Sequence, residues 1–173
     1  MQHVQTYKLK SMNFLNLLFG GVNDNVDWLA IKATDKVYPN HAISILKLKT
    51  RSGKLATGWV DKSYDEYQYK RFSPYNLLIK VSLPKQSAET ATAFDMEVIQ
   101  HFFITEIRRV SIAHVVARLV TDEGIKFEMY LEHKQPVIEH LDNLKDNPAL
   151  FDSFTYEVNK DPRWTAVNGL MKL

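Results

Sequence analysis

Acid–base and metal chemistry in this 173-residue chain would rest on six histidines and twenty acidic side chains. His3, His41, His101, His114, His133 and His140 never fall at HxH or HxxxH spacing, and no HExxH occurs. No helix therefore presents two imidazoles to one zinc ion. Paired carboxylates for acid–base work would have to come from Asp122/Glu123, Glu128/Glu132 or Asp152/Glu157. The first pair sits in a turn and the second shares a strand with Lys126, which reads as a solvated face rather than an acid–base pair. Cysteine is absent, which removes disulfides, thiolate metal sites and Cys nucleophiles. No GxxxxGK[ST], GxGxxG or GxSxG cradles a phosphate or exposes a serine. Serine and threonine nucleophiles are not excluded, but none has a recognisable setting. The expectation is no cofactor, no metal and no catalysis. The alternative is an enzyme of unrecognised type, with His114, Arg118 or Asp161 lining a cleft between two halves of the chain.

Contact chemistry is better represented. Asp161-Pro162-Arg163-Trp164 can start a capped helix with Trp164 as a core anchor, or it can expose Arg163 and Trp164, residue types that dominate interfaces. Residues 61–74, DKSYDEYQYKRFSP, interleave Tyr64, Tyr67, Tyr69 and Phe72 with Lys62, Lys70 and Arg71. Such alternation suits single-stranded nucleic acid, but Asp61, Asp65 and Glu66 nearly cancel the cations. The stretch reads as a partly ordered loop or edge segment. Arg163, Trp164, Tyr67, Tyr69 and Arg71 are the candidate interaction residues, and RNA binding through 61–73 is a third reading.

The elements that would position these groups follow from periodicity. From Thr92, a candidate N-cap with Asp95 three residues on, Ile99, Phe102, Phe103, Ile107 and Val110 recur at three- and four-residue steps, with only Glu106 breaking the apolar stripe. Val115 to Val120 and Ile125 to Leu131 alternate at period two around Thr121-Asp122-Glu123-Gly124, which predicts a hairpin. Strands are further expected at Trp28–Ala33, His41–Leu48, Leu55–Val60, Tyr75–Leu83 and around Phe154, Tyr156 and Val158. A shorter helix is expected over Lys134–Asp146, with Val137, His140/Leu141 and Leu144 inward and Asn147-Pro148 as its stop. A last helix would begin at Asp161-Pro162 and turn Trp164, Val167, Leu170 and Met171 inward. Met12, Leu15, Leu18 and Phe19 could share one face of a docking helix ended by Gly20-Gly21.

From Tyr75 the order is strand, helix, strand, strand, helix, strand. The expected fold is α+β: a ferredoxin-like βαββαβ antiparallel sheet over 74–173 with two helices on one face, plus an N-terminal β-hairpin and short terminal helices. Residues 1–73 would pack on that core. RNA-recognition domains of this pattern need aromatics on the open sheet face. Leu78, Lys80, Ser82, Lys126, Glu128 and Tyr130 offer one ring there, beside an acid. A net charge of +2 does not itself argue for nucleic acid or an anionic membrane. No apolar run reaches the ~18 residues a membrane span needs, and Phe14–Phe19 is too short and broken for a signal sequence. A cytoplasmic bacterial protein is the expectation.

TDEGIKFEMYLEH at 121–133, PYNLLIKVSLP at 74–84 and DPRW at 161–164 resemble landmarks of an uncharacterised bacterial family catalogued as domain of unknown function 695. The resemblance covers roughly residues 74–170, with an echo at Asp27-Trp28. Met129 stands where the family's hairpin strand is usually aromatic, and the polar 61–73 stretch departs from the pattern. The resemblance transfers no catalytic residue. It implies a fold similar to that of bacterial protein inhibitors of ribonuclease E, which act by protein contact, an analogy of fold alone. The functional expectation is a non-enzymatic interaction or regulatory domain, inhibitor- or immunity-like, whose partner is another protein or a second copy.

Overall fold

The computed structural model describes residues 26–50, 53–83, 93–144 and 151–173. The expected docking helix at 12–19, the Thr92 cap, and the helix stop at Asn147-Pro148 lie outside these residues. Six strands form one sheet: β1 (Ile43–Lys49), β2 (Leu55–Asp61), β3 (Tyr75–Ser82), β4 (Ala113–Thr121), β5 (Gly124–Leu131) and β6 (Ser153–Lys160). They stand in the order β1-β2-β4-β5-β3-β6, and every neighbouring pair is antiparallel. Four α-helices accompany them among the described residues: α1 (Trp28–Lys32), α2 (Ala93–Arg108), α3 (Gln135–Leu144) and α4 (Asn168–Met171). None is long and apolar enough to cross a membrane.

The sheet separates two apolar clusters. On one face, Ile99, Phe103 and Ile107 of α2 and Val137 and Leu141 of α3 pack on Leu77, Ile79 and Val81 of β3 and on Ile125, Phe127, Met129 and Leu131 of β5. These are the residues that the three-to-four and two-residue periods select. Glu106, on the apolar stripe of α2, is kept there by pairing: Arg109 Nη1 and His140 Nε2 lie 2.6 and 2.8 Å from its two oxygens. On the other face, Leu46, Val60, Tyr64, Tyr67, Val116, Ala117, Tyr130, Trp164, Val167 and Met171 form the second cluster.

Four expectations are corrected. The last helix does not begin at Asp161-Pro162: Trp164 takes a left-handed φ of 57°, a 3-10 turn spans Thr165–Val167, and α4 starts only at Asn168. Residues 28–32 are a helix, not a strand. Asp27 caps it by accepting from the Ala30 N–H at 3.1 Å, and one helical turn brings Trp28 Nε1 and Lys32 Nζ together on Glu132 Oε1, each at 2.9 Å. Residues 61–73 are not a partly ordered loop. They make two 3-10 turns, Lys62–Tyr64 and Lys70–Phe72, and Tyr64 and Tyr67 are buried in the second cluster. Finally, β4 does not alternate evenly. Val115 pairs with Met129 and Ala117 with Glu128, so Val116 is an extra, unpaired residue. Val115 therefore faces the helices while Ala117 joins Val116 in the second cluster.

Gly58 fixes where the N-terminal hairpin meets the rest. It pairs with Leu119, and a Cβ there would lie 1.9 Å from the Arg118 carbonyl oxygen. Only glycine lets β2 and β4 close to this distance.

Candidate functional site

The residues expected to make contacts are placed very differently. Trp164 is 1% exposed and stacks on Tyr130 with ring centroids 4.0 Å apart. Its indole N–H reaches the carbonyls of Ser73 and Lys70 at 3.0 and 3.1 Å. Asp161 completes this anchor, accepting from Tyr130 Oη at 2.6 Å, Thr165 Oγ1 at 2.9 Å and the Ala166 N–H at 2.9 Å. Partial burial would raise the pKa of Asp161, but these hydrogen bonds outweigh it and hold the group at about 2. The Asp-Pro-Arg-Trp run is thus a clasp that closes the second cluster, with Pro162 and Arg163 exposed. Tyr67 is buried and donates to the Val37 carbonyl at 2.6 Å. Tyr69 and Arg71 are half-buried, and the Arg71 guanidinium lies 4.7 Å above the Phe72 ring. Trp164 lies where a partner reaches it only by unfolding the clasp.

His114, Arg118 and Asp161 do not converge. His114 is fully buried on the second face, ringed by Tyr38, Tyr64, Tyr67 and Trp164 at centroid distances of 5.1 to 5.6 Å. Neither ring nitrogen has a hydrogen-bond partner. Burial, aided by the nearby Arg108 charge, pushes its pKa down to about 3, so the imidazole is neutral at pH 7. Arg118 lies on the opposite face of β4, donating to Gln100 Oε1 at 3.0 Å. Among the described residues, no group of three or more His, Asp or Glu side chains is placed to hold a metal ion.

An open surface lies at the β1 edge instead. Ile43, Ile45, Lys47 and Lys49 pair with Asp61, Trp59, Thr57 and Leu55, so these eight side chains share the face that carries α2 and α3. The helices do not extend over it. Ile45 is 72% exposed, Leu55 71% and Ile43 50%, and Val98 of α2 borders them at 39%. The hydrogen-bond parity of the ladder is set at its two ends. Lys62 N–H donates to the Ala42 carbonyl and Thr50 N–H to the Lys54 carbonyl, each at 2.8 Å. Even-numbered residues of β1 therefore bond β2, and Ile43, Ile45, Lys47 and Lys49 turn their N–H and C=O groups to the outer edge. Among the described residues no strand pairs with that edge.

Beside this strip, α2 and the β1–β2 hairpin enclose a cleft of about 360 Å³. Trp59 and Ile104 form its apolar walls, with His41, Tyr64, Gln100 and Arg108 as polar members. Asp61 is fully buried and accepts from Ser63 Oγ at 2.6 Å, the Ala42 N–H at 2.9 Å and the Ser63 N–H at 3.0 Å. His41 Nδ1 lies 2.5 Å from its other oxygen. Burial would raise the Asp61 pKa; the bonds from Ser63, Ala42 and His41 instead hold it below the ordinary carboxylate range. Arg108 lies 4.4 Å above the Tyr38 ring, and its Nε donates to the Ala113 carbonyl at 3.3 Å. These residues were not selected from the sequence. One signal was available: a hairpin folded about Arg51–Gly53 brings His41 and Asp61 to the same end.

Comparison with protein-family models, curated proteins and solved structures finds no match to this chain.

Proposed function

We propose that this chain is a non-catalytic protein-interaction domain of regulatory or inhibitor type, and that it takes an extended partner segment onto the free edge of β1. The observation that carries the reading is the coincidence at one strand of outward-turned backbone groups and exposed side chains. Ile43 and Ile45 offer both. Strand addition uses the backbone for affinity and alternate side chains for specificity. Lys47, Lys49 and, across the groove, Arg118 are cationic, with Glu97 the acid among them. The segment that fits carries apolar residues opposite Ile43, Ile45 and Trp59 and acids opposite the lysines.

The same proposal takes residues 74–173 as a ferredoxin-like unit to which β1–β2 is appended. In its support, β3, β4, β5 and β6 stand in the order β4-β5-β3-β6, with the first and third strands of the unit central, and α2 and α3 pack on one cluster. The resemblance to the uncharacterised bacterial family rests on the strands and clasp of this unit. RNA binding through 61–73 is less well supported, because Tyr64 and Tyr67 are buried and Lys62 and Lys70 bond backbone carbonyls.

The test is affinity capture from the native cell with the wild-type chain, Ile45→Pro and Lys80→Glu. Proline at an outward-turned edge position removes a donor without breaking the β1–β2 ladder. The expected result is a stoichiometric partner lost with Ile45→Pro and kept with Lys80→Glu. If the partner is a second copy, sedimentation shows a dimer that Ile45→Pro dissociates. Recovery of the chain alone and monomeric, or a partner indifferent to Ile45→Pro, refutes the reading.

A further inference from the structure

The cleft between α2 and the β1–β2 hairpin combines features the edge does not need. We infer that it binds a small aromatic carboxylate, independently of any partner at β1.

Its volume, about 360 Å³, is at the lower end of the range for small-molecule sites. Trp59, Ile104 and Ile43 supply apolar walls for a flat body. Arg108 supplies the charge, and no acidic side chain pairs with it among the described residues. A planar guanidinium matches a carboxylate with two parallel N–H donors. It stands at the C-terminal end of α2, where the helix carbonyls repel an anion. Recognition of the charge therefore depends on side chains and not on the helix. His41 is the second. With Nδ1 against Asp61, its Nε2 is left to face a ligand.

The independent sign of a missing ligand is Tyr64. It lines the cleft, is 1% exposed, and its hydroxyl has no hydrogen-bond partner. Arg108, which lines the cleft, and Asp61, buried behind His41, both act electrostatically on this hydroxyl. Leaving a buried donor unpaired costs more than any other treatment of it, and a carboxylate oxygen that displaces the side chains sealing this hydroxyl from the cleft would satisfy it.

The experiment titrates the full chain with benzoate, following tryptophan and arginine side-chain resonances by NMR. Benzyl alcohol, which keeps the ring without the charge, and acetate, which keeps the charge without the ring, are the controls. Saturable benzoate shifts at Trp59 and Arg108 are expected, with both controls at least tenfold weaker. Arg108→Gln is expected to weaken benzoate at least tenfold. Tyr64→Phe is expected to weaken it several-fold while leaving the melting temperature unchanged or higher, since the hydroxyl makes no bond in the free protein. Ile45→Pro, which would abolish pairing at the β1 edge, is expected to leave benzoate binding intact. Absence of saturable shifts overturns the inference, as does equal binding by benzoate and benzyl alcohol or an Arg108→Gln variant that binds like wild type.

Discussion

The two ends of the sheet are built from similar strands and finished differently. Over β3, β5 and β6 the helix-bearing face is sealed: Leu77, Ile79, Phe127 and Met129 are fully buried beneath α2 and α3. Over β1 and β2 the same face carries Ile43, Ile45 and Leu55, half or more exposed. An isoleucine in β1 and one in β3 satisfy the same periodicity, but only the second has a helix above it. Alternation in a strand reports which residues share a face. It does not report whether that face is covered.

The largest test of this contrast is a matched pair of charges. Phe103→Asp puts an unpaired carboxylate into the sealed face and is expected to prevent folding, at a cost of more than about 4 kcal/mol. Ile45→Asp places the same group on the open face and is expected to change stability by under about 1 kcal/mol. Urea unfolding followed by circular dichroism measures both. A cooperatively folded Phe103→Asp, or an Ile45→Asp that unfolds, would erase the distinction between the two ends.

Acid comes next, and it acts on the second cluster rather than the helix-bearing face. His114 has a folded pKa of about 3, far below the unfolded value near 6.5. Between these values the unfolded chain binds a proton that the native chain refuses, so stability rises with pH across this window. It is complete above about pH 6.5 and is lost as pH falls toward 3. The loss approaches about 5 kcal/mol. Urea midpoints at pH 7 and pH 4.5 should diverge in wild type and converge in His114→Phe, which keeps a ring among Tyr38, Tyr64, Tyr67 and Trp164. Equal pH slopes in the two proteins would show that His114 accepts its proton while folded.

These residues also mark how far the sequence could be read. The stripe Ile99, Phe103, Ile107 and the run Ile125 to Leu131 were legible because periodicity is a local property, and the sealed face followed from them. The clasp was half legible: Trp164 was read as an anchor, but Asp161-Pro162 was read as a helix start where the chain makes a turn, helical residues beginning only at Thr165. That Trp164 would lie on Tyr130, across the sheet, depends on where the chain returns after β6. The 61–73 turns were misread because tyrosines spaced by polar residues look the same whether they face water or a second cluster. Val116 was misread because a bulge adds one residue without changing composition. The His41–Asp61 pair was missed because it needs the register of the β1–β2 hairpin, which the sequence around Arg51–Gly53 suggests only loosely.

Gly58 joins the two ends and separates them in a third test. Gly58→Ala drives a Cβ to 1.9 Å from the Arg118 carbonyl oxygen, so β2 and β4 must part. A loss of about 2–4 kcal/mol is expected. Because the contact lies between hairpin and core, amide exchange should quicken in β1 and β2 before it does in β3 and β5. Uniform quickening along the sheet would mean that the halves open as one unit.

The smallest effect distinguishes the two tyrosines of the second cluster. Tyr130 and Tyr64 are both fully buried, and burial raises both hydroxyl pKa values. Only Tyr130 donates, to Asp161 at 2.6 Å. Tyr130→Phe leaves the stack on Trp164 intact but takes a charge-assisted bond from a half-buried carboxylate, and about 1–2 kcal/mol is expected to go with it. The Asp161 pKa should rise in that variant, since burial would then work against fewer hydrogen bonds. The stability difference between wild type and Tyr130→Phe should therefore shrink as pH falls through the Asp161 pKa of about 2. Tyr64→Phe removes a hydroxyl without a partner and should cost nothing. If both substitutions cost the same, the pairing of Tyr130 with Asp161 adds no stability to the clasp, and ring packing alone keeps Trp164 closed over the sheet.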